Sequence, residues 1–395
     1  MPLRDDMPSE TTALRLVIAG GGTGGHVLPA VAVVEELRRR KVSVELLWIG
    51  STGGVEKALA EENQIPFVAI PTGKLRRYLS IQNIADAARI PVGIVSAWRH
   101  LRRFNPDVVY STGGAVSVPT ALAAARLAPI LTHEQTAQIG LANRTVARVA
   151  DVFAVGFEGT AELARATHKR VVFTGNPVRR SLLAGDATQG LSRYGFDPDV
   201  PLIYVTGGAR GASPLNQRIA ALLPDLLAAC QVLHQVGPAS ANQDAETLKA
   251  ERASWPPDVR KRYHVVEFVR DELPDVYAAA SIVVGRAGAG TVSELAYLGL
   301  PSILIPLPGT WGDEQRKNAR LLADAGGAIY LEQADAIPER LRDTIAALVS
   351  DPARRREMAA AAASVGRRDG VERLTDELLN LATDASGKPK QRSSP

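Results

Sequence analysis

From Leu14 onward the chain alternates short, nearly continuous apolar runs with longer stretches of amphipathic spacing. The runs LRLVIAG, VELLWIG, PFVAI, DVVYST, PILTHE and DVFAVG predict strands, and the segments between them carry apolar residues at helical spacing. Strands that are apolar on both faces need cover on both faces, which predicts a parallel sheet with helices on each side. After the turn-rich stretch GDATQGLSRYGFDPDVP the alternation starts again with PLIYVTGG, CQVLHQVG, YHVVEF, SIVVGR, PSILIPLP and AIYLEQ. The pattern therefore predicts an α/β protein of two Rossmann-like, doubly wound domains, 14–182 and 201–383, joined by a linker over 183–200. Helices over about 335–383 close the second domain, and flexible tails are expected at 1–13 and 384–395.

Composition narrows the class. With 395 residues and 46% hydrophobic positions there is material for two packed cores. No apolar run approaches the roughly 18 residues that span a bilayer. The start, MPLRDDMPSE, lacks the apolar stretch of a secretory signal. Cys230 is the single cysteine, which excludes an intramolecular disulfide and a multi-cysteine metal site, and its apolar surroundings predict a core position.

The net charge of +4 is unevenly placed. Between Pro71 and Arg103 there are seven basic residues (Lys74, Arg76, Arg77, Arg89, Arg99, Arg102, Arg103) against Asp86 alone, so this segment carries +6 and the rest −2. Positive charge confined to one segment does not suit a nucleic-acid binder. Interleaved with Tyr78, Ile90, Val92, Val95 and Trp98, it suits an anionic membrane surface; the alternative is an ordinary surface helix with snorkelling arginines.

Ligands of doubly wound sheets bind at the carboxyl ends of the strands. The first such loop is Gly20-Gly21-Gly22-Thr23-Gly24-Gly25-His26, a glycine turn leading into a helix, which suits a phosphate. A nicotinamide dinucleotide site is disfavoured, because the second strand ends Trp48-Ile49-Gly50-Ser51 without a carboxylate. His26 stands at the helix start, where the positive end of the dipole disfavours an imidazolium. It can serve as a general base for a substrate hydroxyl, or as a structural ring bonded to a loop carbonyl. Two further loops, Thr206–Ala212 and Gly285–Glu294, also follow strands and open helices, an arrangement suited to a nucleotide diphosphate, with Glu294 placed for ribose hydroxyls. Asp197-Pro198-Asp199 matches a metal-binding D-x-D pattern, but it precedes its strand and reads as a turn; no metal or cofactor is expected.

The motifs Gly21–His26, His133-Glu134-Gln135, Gly175-Asn176-Pro177-Val178-Arg179, Gly207–Ala212 and Arg286 with Gly288–Glu294 occur in order. Together they resemble the MurG family of N-acetylglucosaminyltransferases from about Leu14 to Ser350. The resemblance implies a GT-B fold, with two domains facing a cleft. It implies inverting transfer of N-acetylglucosamine from UDP-N-acetylglucosamine to the C4 hydroxyl of undecaprenyl-diphospho-N-acetylmuramoyl-pentapeptide. The enzyme would be peripheral, on the cytoplasmic face of the cell membrane, with an anionic membrane surface as partner and no nucleic acid.

Carried over, the family's roles make His26 the leading base, with His133 and Glu134 as second candidates. Thr23, Gly24 and Gly25 would line the acceptor diphosphate; Arg179 and the loop holding Ala209 would face the UDP phosphates; Asn216 would line the cleft. Val269 would contact uracil through its backbone, Ala289, Gly290, Thr291, Val292 and Ser293 would cradle phosphate and base, and Glu294 would hold the ribose. Thr136 and Gln315 would meet the donor sugar. The chain departs from the family pattern at Thr136 (usually asparagine), Ala209 (usually serine) and Ala115 (usually aromatic), and Glu314 stands where a histidine is common. Three other readings fit these residues: a related GT-B glycosyltransferase with a different lipid or small-molecule acceptor, a UDP-sugar epimerase, and a non-catalytic sugar-nucleotide binder.

Overall fold

A computed structural model describes residues 13–22, 24–73 and 81–383, the side chains of 81–88 and of Trp311 excepted. Thr23, the basic residues Lys74, Arg76 and Arg77, and the tails over 1–12 and 384–395 lie outside the described residues.

The first unit is built on strands β1 (Leu14–Gly20), β2 (Val44–Ser51), β3 (Phe67–Ile70), β4 (Val108–Gly113), β5 (Ile130–Glu134), β6 (Val152–Val155) and β7 (Val171–Phe173). They form a seven-stranded parallel sheet in the order β3-β2-β1-β4-β5-β6-β7. The second unit has β8 (Leu202–Thr206), β9 (Gln231–Gln235), β10 (Tyr263–Val266), β11 (Ala280–Gly285), β12 (Ser302–Leu304) and β13 (Ala328–Tyr330). Its parallel order is β10-β9-β8-β11-β12-β13. In both sheets the winding reverses between the first and fourth strands, and the loops leaving those strands open at that reversal. The predicted apolar runs all form strands, and the central positions of the inner ones are fully buried (Val17, Ile18, Val109, Val205, Val283).

One strand escaped the pattern. β7 is three residues long and only half-buried, too short for a run to stand out.

The unit boundaries also differ from the sequence expectation. The first unit comprises the chain up to Glu134, Ile139–Phe173 and the residues from Val371 on; the second comprises Gln135–Gln138 and Thr174–Gly370. The last helix, Gly370–Ala382, closes the first unit rather than the second. Its Val371, Leu374, Leu378 and Leu381 recur on one face and pack into the core of Leu16, Val34 and Leu37. Each such side chain contributes about 1.5–3 kcal/mol over exposure. Ion pairs of Arg170 with Glu377 (2.9 Å) and of Arg40 with Asp376 add to this docking.

The expected linker over 183–200 is packed structure. It contains the helix Ala187–Tyr194, capped at its start by Asp186, which accepts from Thr188 N and Gln189 N. This helix lies against the helix Leu273–Ala279 so closely that a Cβ at Gly190 would sit 2.3 Å from the Asp275 carbonyl oxygen. Of the glycines that read as a loop signal, Gly185 and Gly190 are there for close approach, and Gly195 ends the helix in the left-handed region. Asp197 forms the turn expected of it, its carboxylate accepting from Asp199 N at 2.9 Å. Cys230 is buried, its thiol on the Leu226 carbonyl at 3.1 Å.

Candidate active-site loops

In the first unit, β1 ends in Gly20-Gly21-Gly22 and the chain enters the helix Gly24–Arg39, with His26 in its first turn. Trp48 holds the end of β1 by donating from Nε1 to the Gly20 carbonyl (3.0 Å). The imidazole lies beside the end of β4, with Nδ1 3.2 Å from the Thr112 carbonyl oxygen. A carbonyl can only accept, so Nδ1 carries the proton of this bond, and any base function of the ring falls to Nε2. Gly113 and Gly114, both at positive φ, pack on the ring: a Cβ at Gly114 would lie 3.1 Å from His26 Cδ2. Of the two sequence readings of His26, the ring bonded to a loop carbonyl is the one seen, and that bond also fixes how the ring is oriented.

The other two base candidates are placed differently. Glu134 is 2% exposed, and its Oε2 accepts from Gly140 N and Asn143 Nδ2, both at 2.9 Å, closing the loop after β5. His133 is fully buried on β5. Glu134 thus closes its loop, while His26 stands at a helix start beside the glycine turn. Asn143, which sequence reading passed over, ties the site together: a Cβ at Gly113 would lie 3.1 Å from its amide and 3.3 Å from His26 Nδ1.

Glu56 was also missed. It is fully buried beneath the first glycine loop and accepts from Gly22 N (2.9 Å), Ser51 N (2.8 Å) and Ser51 Oγ (2.6 Å). Burial pushes its carboxyl upward, but these bonds outweigh it and the net shift is below the ordinary glutamate value. A Cβ at Gly21 or Gly54 would run into this carboxylate, so part of the glycine run serves to house it. Its partners lie up to 34 residues away in sequence, which hides the signal.

The second unit carries the loops that the sequence led us to expect at a nucleotide diphosphate. The helix Ala289–Leu298 starts at Gly288 with an Ala-Gly-Thr first turn, so its leading N–H groups have no side-chain cap or acidic neighbour. Glu294, one turn further on, accepts from Tyr277 Oη at 2.8 Å. Burial raises the Glu294 carboxyl above the ordinary range, more than the Tyr277 hydroxyl and the charge of Arg179 pull it back. The same charge is felt at Tyr277, so Arg179, Tyr277 and Glu294 stand together. Gln315 accepts from Leu307 N through Oε1 (2.9 Å), which leaves its two amide hydrogens as donors. Val269 gives its N–H to Gln235 Oε1 at 2.9 Å. Gln135–Gln138, with Thr136, groups with this unit: Asn176 Nδ2 donates to the Gln135 carbonyl (2.8 Å) and Ala137 N to Asn318 Oδ1 (3.2 Å).

Three expected contact residues turn inward. Asn216 is 1% exposed, and its amide donates to the Val236 carbonyl (2.9 Å) and to Asp244 (2.7 Å) while its oxygen accepts from His234 Nε2 (3.1 Å). Burial drives His234 down to about 3, so that ring is neutral and structural. Val292 is fully buried in the core, and the Ser293 hydroxyl donates to the Ala289 carbonyl and accepts from Asn176, both at 2.7 Å. On one helical turn only part of the circumference can face a ligand, and the core takes the rest. Arg286 is likewise internal: it donates to the carbonyls of Ile305 (2.9 Å) and Pro306 (3.1 Å) and to Gln333 (2.6 Å). Burial, and then the charge of Arg218, lower it to about 10, which still leaves it charged at neutral pH.

Two doubly wound parallel sheets with glycine loops at each winding reversal are the GT-B architecture, and the family matches make the chain a glycosyltransferase of that class. Domain models agree, the glycosyltransferase family 28 N-terminal domain matching residues 16–155 and its C-terminal domain 202–374. A relative from Bacillus licheniformis is 35% identical over 93% of this chain and 99% of its own length. It is named UDP-N-acetylglucosamine–N-acetylmuramyl-(pentapeptide) pyrophosphoryl-undecaprenol N-acetylglucosamine transferase. The crystal structure of Acinetobacter baumannii MurG matches with a TM-score of 0.71 and 28% identity, over 92% of this chain and 99% of that one. The chain belongs to this family, the MurG N-acetylglucosaminyltransferases. The UDP-GlcNAc 2-epimerase from Neisseria meningitidis, at 14% identity and a TM-score of 0.65 over 93% of this chain and 100% of that one, shares the fold alone.

Proposed function

We propose that the chain transfers N-acetylglucosamine from UDP-N-acetylglucosamine to the C4 hydroxyl of undecaprenyl-diphospho-N-acetylmuramoyl-pentapeptide, with inversion at the anomeric carbon. The observation that carries the assignment is the duplication of glycine loops at the sheet reversals, one set bearing an oriented histidine and the other an oriented carboxylate. The first unit holds the acceptor: Gly24 and Gly25, with Thr23, receive its diphosphate, and His26 Nε2 takes the proton of the attacking hydroxyl. The second unit holds the donor. Glu294 accepts from the ribose hydroxyls, the Val269 carbonyl accepts from uracil N3–H, and Gln315 and Thr136 bind the sugar.

Inverting transfer is a single displacement. The acceptor oxygen attacks the anomeric carbon as the bond to the diphosphate breaks on the opposite face, through an oxocarbenium-like transition state. Negative charge then grows on UDP, where Arg179, the loop around Ala209 and the N–H groups of Ala289, Gly290 and Thr291 stabilise it. Purified protein should release UDP from UDP-N-acetylglucosamine only when the lipid-linked muramoyl-pentapeptide is present. Release onto diacylglycerol or small aglycones would move the assignment to another acceptor, and conversion of the donor without any acceptor would make the chain an epimerase.

The acceptor's lipid calls for membrane contact, yet no helix among the described residues is long and apolar enough to cross a membrane. The helix Ile81–Phe104 buries Ala97 and Leu101 and exposes Val92 (58%), Val95 (49%) and Trp98 (41%), with Arg102 stacked 4.9 Å over the Trp98 ring. Arg99, Arg102 and Arg103 are exposed on the same helix. This pairing of apolar and cationic side chains supports peripheral docking on anionic lipid at the cytoplasmic face. Replacing Arg102 and Arg103 by serine should weaken binding to vesicles of anionic phospholipid by about 30-fold, at roughly 1 kcal/mol per charge. Unchanged vesicle sedimentation would remove the docking surface.

A further inference from the structure

Gln235, at the end of β9, is 4% exposed, and its side chain makes every hydrogen bond an amide can make. Oε1 accepts from Val269 N (2.9 Å) and from Tyr204 Oη (3.0 Å). Nε2 donates to Thr206 Oγ1 (3.1 Å) and to the Gly208 carbonyl (3.2 Å). Thr206 Oγ1 in turn accepts from Gly208 N at 3.0 Å. One buried amide thus links the backbone assigned to the base with the glycine loop assigned to the diphosphate.

The bond to Gly208 has a directional consequence. A trans peptide is planar, so the carbonyl of one residue and the N–H of the next point to opposite sides. Gly208, at φ +79°, has its carbonyl drawn inward by Gln235 and by Gly211 N (3.0 Å). The N–H of Ala209 is therefore turned outward, on an exposed residue between two half-buried glycines and Arg210. With Gly208 held the other way, the loop would present a carbonyl oxygen there and repel an anion. Ala209 also lacks the serine hydroxyl that the family pattern carries at this position, so the backbone N–H is the donor that this residue offers.

We propose that Gln235 is a positioning residue for the donor, holding the 208–209 peptide so that the Ala209 N–H meets the UDP diphosphate. The inference rests on the reading that the diphosphate binds the Gly207–Ala212 loop. It separates Gln235 from ordinary core amides: its substitution changes phosphate recognition more than nucleoside recognition.

The test uses the full chain and two ligands, uridine and UDP, whose ratio of dissociation constants isolates what the phosphates add. Q235E keeps the acceptor side toward Val269 and Tyr204 and loses the donor side. Q235M loses both and brings no charge that could itself repel phosphate. A209P removes the N–H from an exposed turn without touching the core. The uridine-to-UDP ratio should fall about tenfold in Q235M and A209P, and at least as much in Q235E, the size expected for a hydrogen bond to a charged group. Parallel weakening of uridine and UDP in Q235M, with the ratio unchanged, would mean a purely structural amide and overturns the proposal. An unchanged ratio in A209P overturns it as well, by removing the donor it invokes. Hydrogen exchange on the unsubstituted chain tells the two failures apart. If UDP protects the 207–212 amides while the ratios stay unchanged, only the role of Gln235 falls. If UDP gives no protection there, the site reading falls and takes this inference with it.

Discussion

Replacing His26 by alanine is expected to lower the turnover number by about 10²–10⁴, the range for removing a positioned general base. UDP affinity should stay within about twofold, because the carboxylate, backbone groups and arginine assigned to the nucleotide all belong to the other unit. The reason for the loss is local. The Thr112 carbonyl fixes the proton on Nδ1, the Gly113-Gly114 turn packs against the ring, and both direct the Nε2 lone pair. A comparison with Glu134→Gln sharpens the result. That carboxylate accepts two hydrogen bonds that close the 134–143 loop, so its substitution should show mainly as a loss of stability, read by thermal denaturation. Turnover that survives in His26→Ala but collapses in a folded Glu134→Gln would reverse the two roles.

Glu294→Gln is expected to weaken UDP binding by about 10–100-fold, the cost of losing charged hydrogen bonds to both ribose hydroxyls. Tyr277 holds the carboxylate at 2.8 Å in place, so the substitution changes charge more than position. A pH signature accompanies it. Burial raises the Glu294 carboxyl above its usual value, so on acidification it takes up a proton at a higher pH than an exposed glutamate does. UDP affinity of the unsubstituted chain should therefore fall as pH drops through that raised value, and Glu294→Gln should be flat over the same interval. Calorimetric titration with UDP across this range checks both. Equal affinity for UDP and for 2′,3′-dideoxy-UDP in the unsubstituted protein would remove the ribose assignment.

The strands were legible because a parallel sheet covered on both faces demands uninterrupted apolar runs, and Leu14–Gly20 or Ala280–Gly285 has almost no other way to be satisfied. The loops were legible for a related reason, since a glycine cluster between an apolar run and a helix start has few structural explanations. What escaped were residues whose importance comes from partners distant in sequence. Glu56 meets Gly22 across 34 positions, Gln235 meets Thr206 across 29, and Tyr277 meets Glu294 across 17. A lone acid, amide or phenol in a helix or strand carries no local mark of such a meeting. The linker was misread because Gly185 and Gly190 signal turns by composition, whereas here they admit the backbone of Pro274 and Asp275.

Local patterning was enough to establish two doubly wound α/β units, the strands that end in glycine loops, His26 at a helix start and Glu294 one turn into another, because periodicity and glycine content are properties of neighbouring residues. Tertiary packing decided the rest: that the last helix returns to the first unit, that Asn216, Val292 and Ser293 turn inward, and which nitrogen of His26 faces the Thr112 carbonyl. Those outcomes depend on which buried surface and which unpaired donor lie nearest in space, and chain order does not encode that proximity locally.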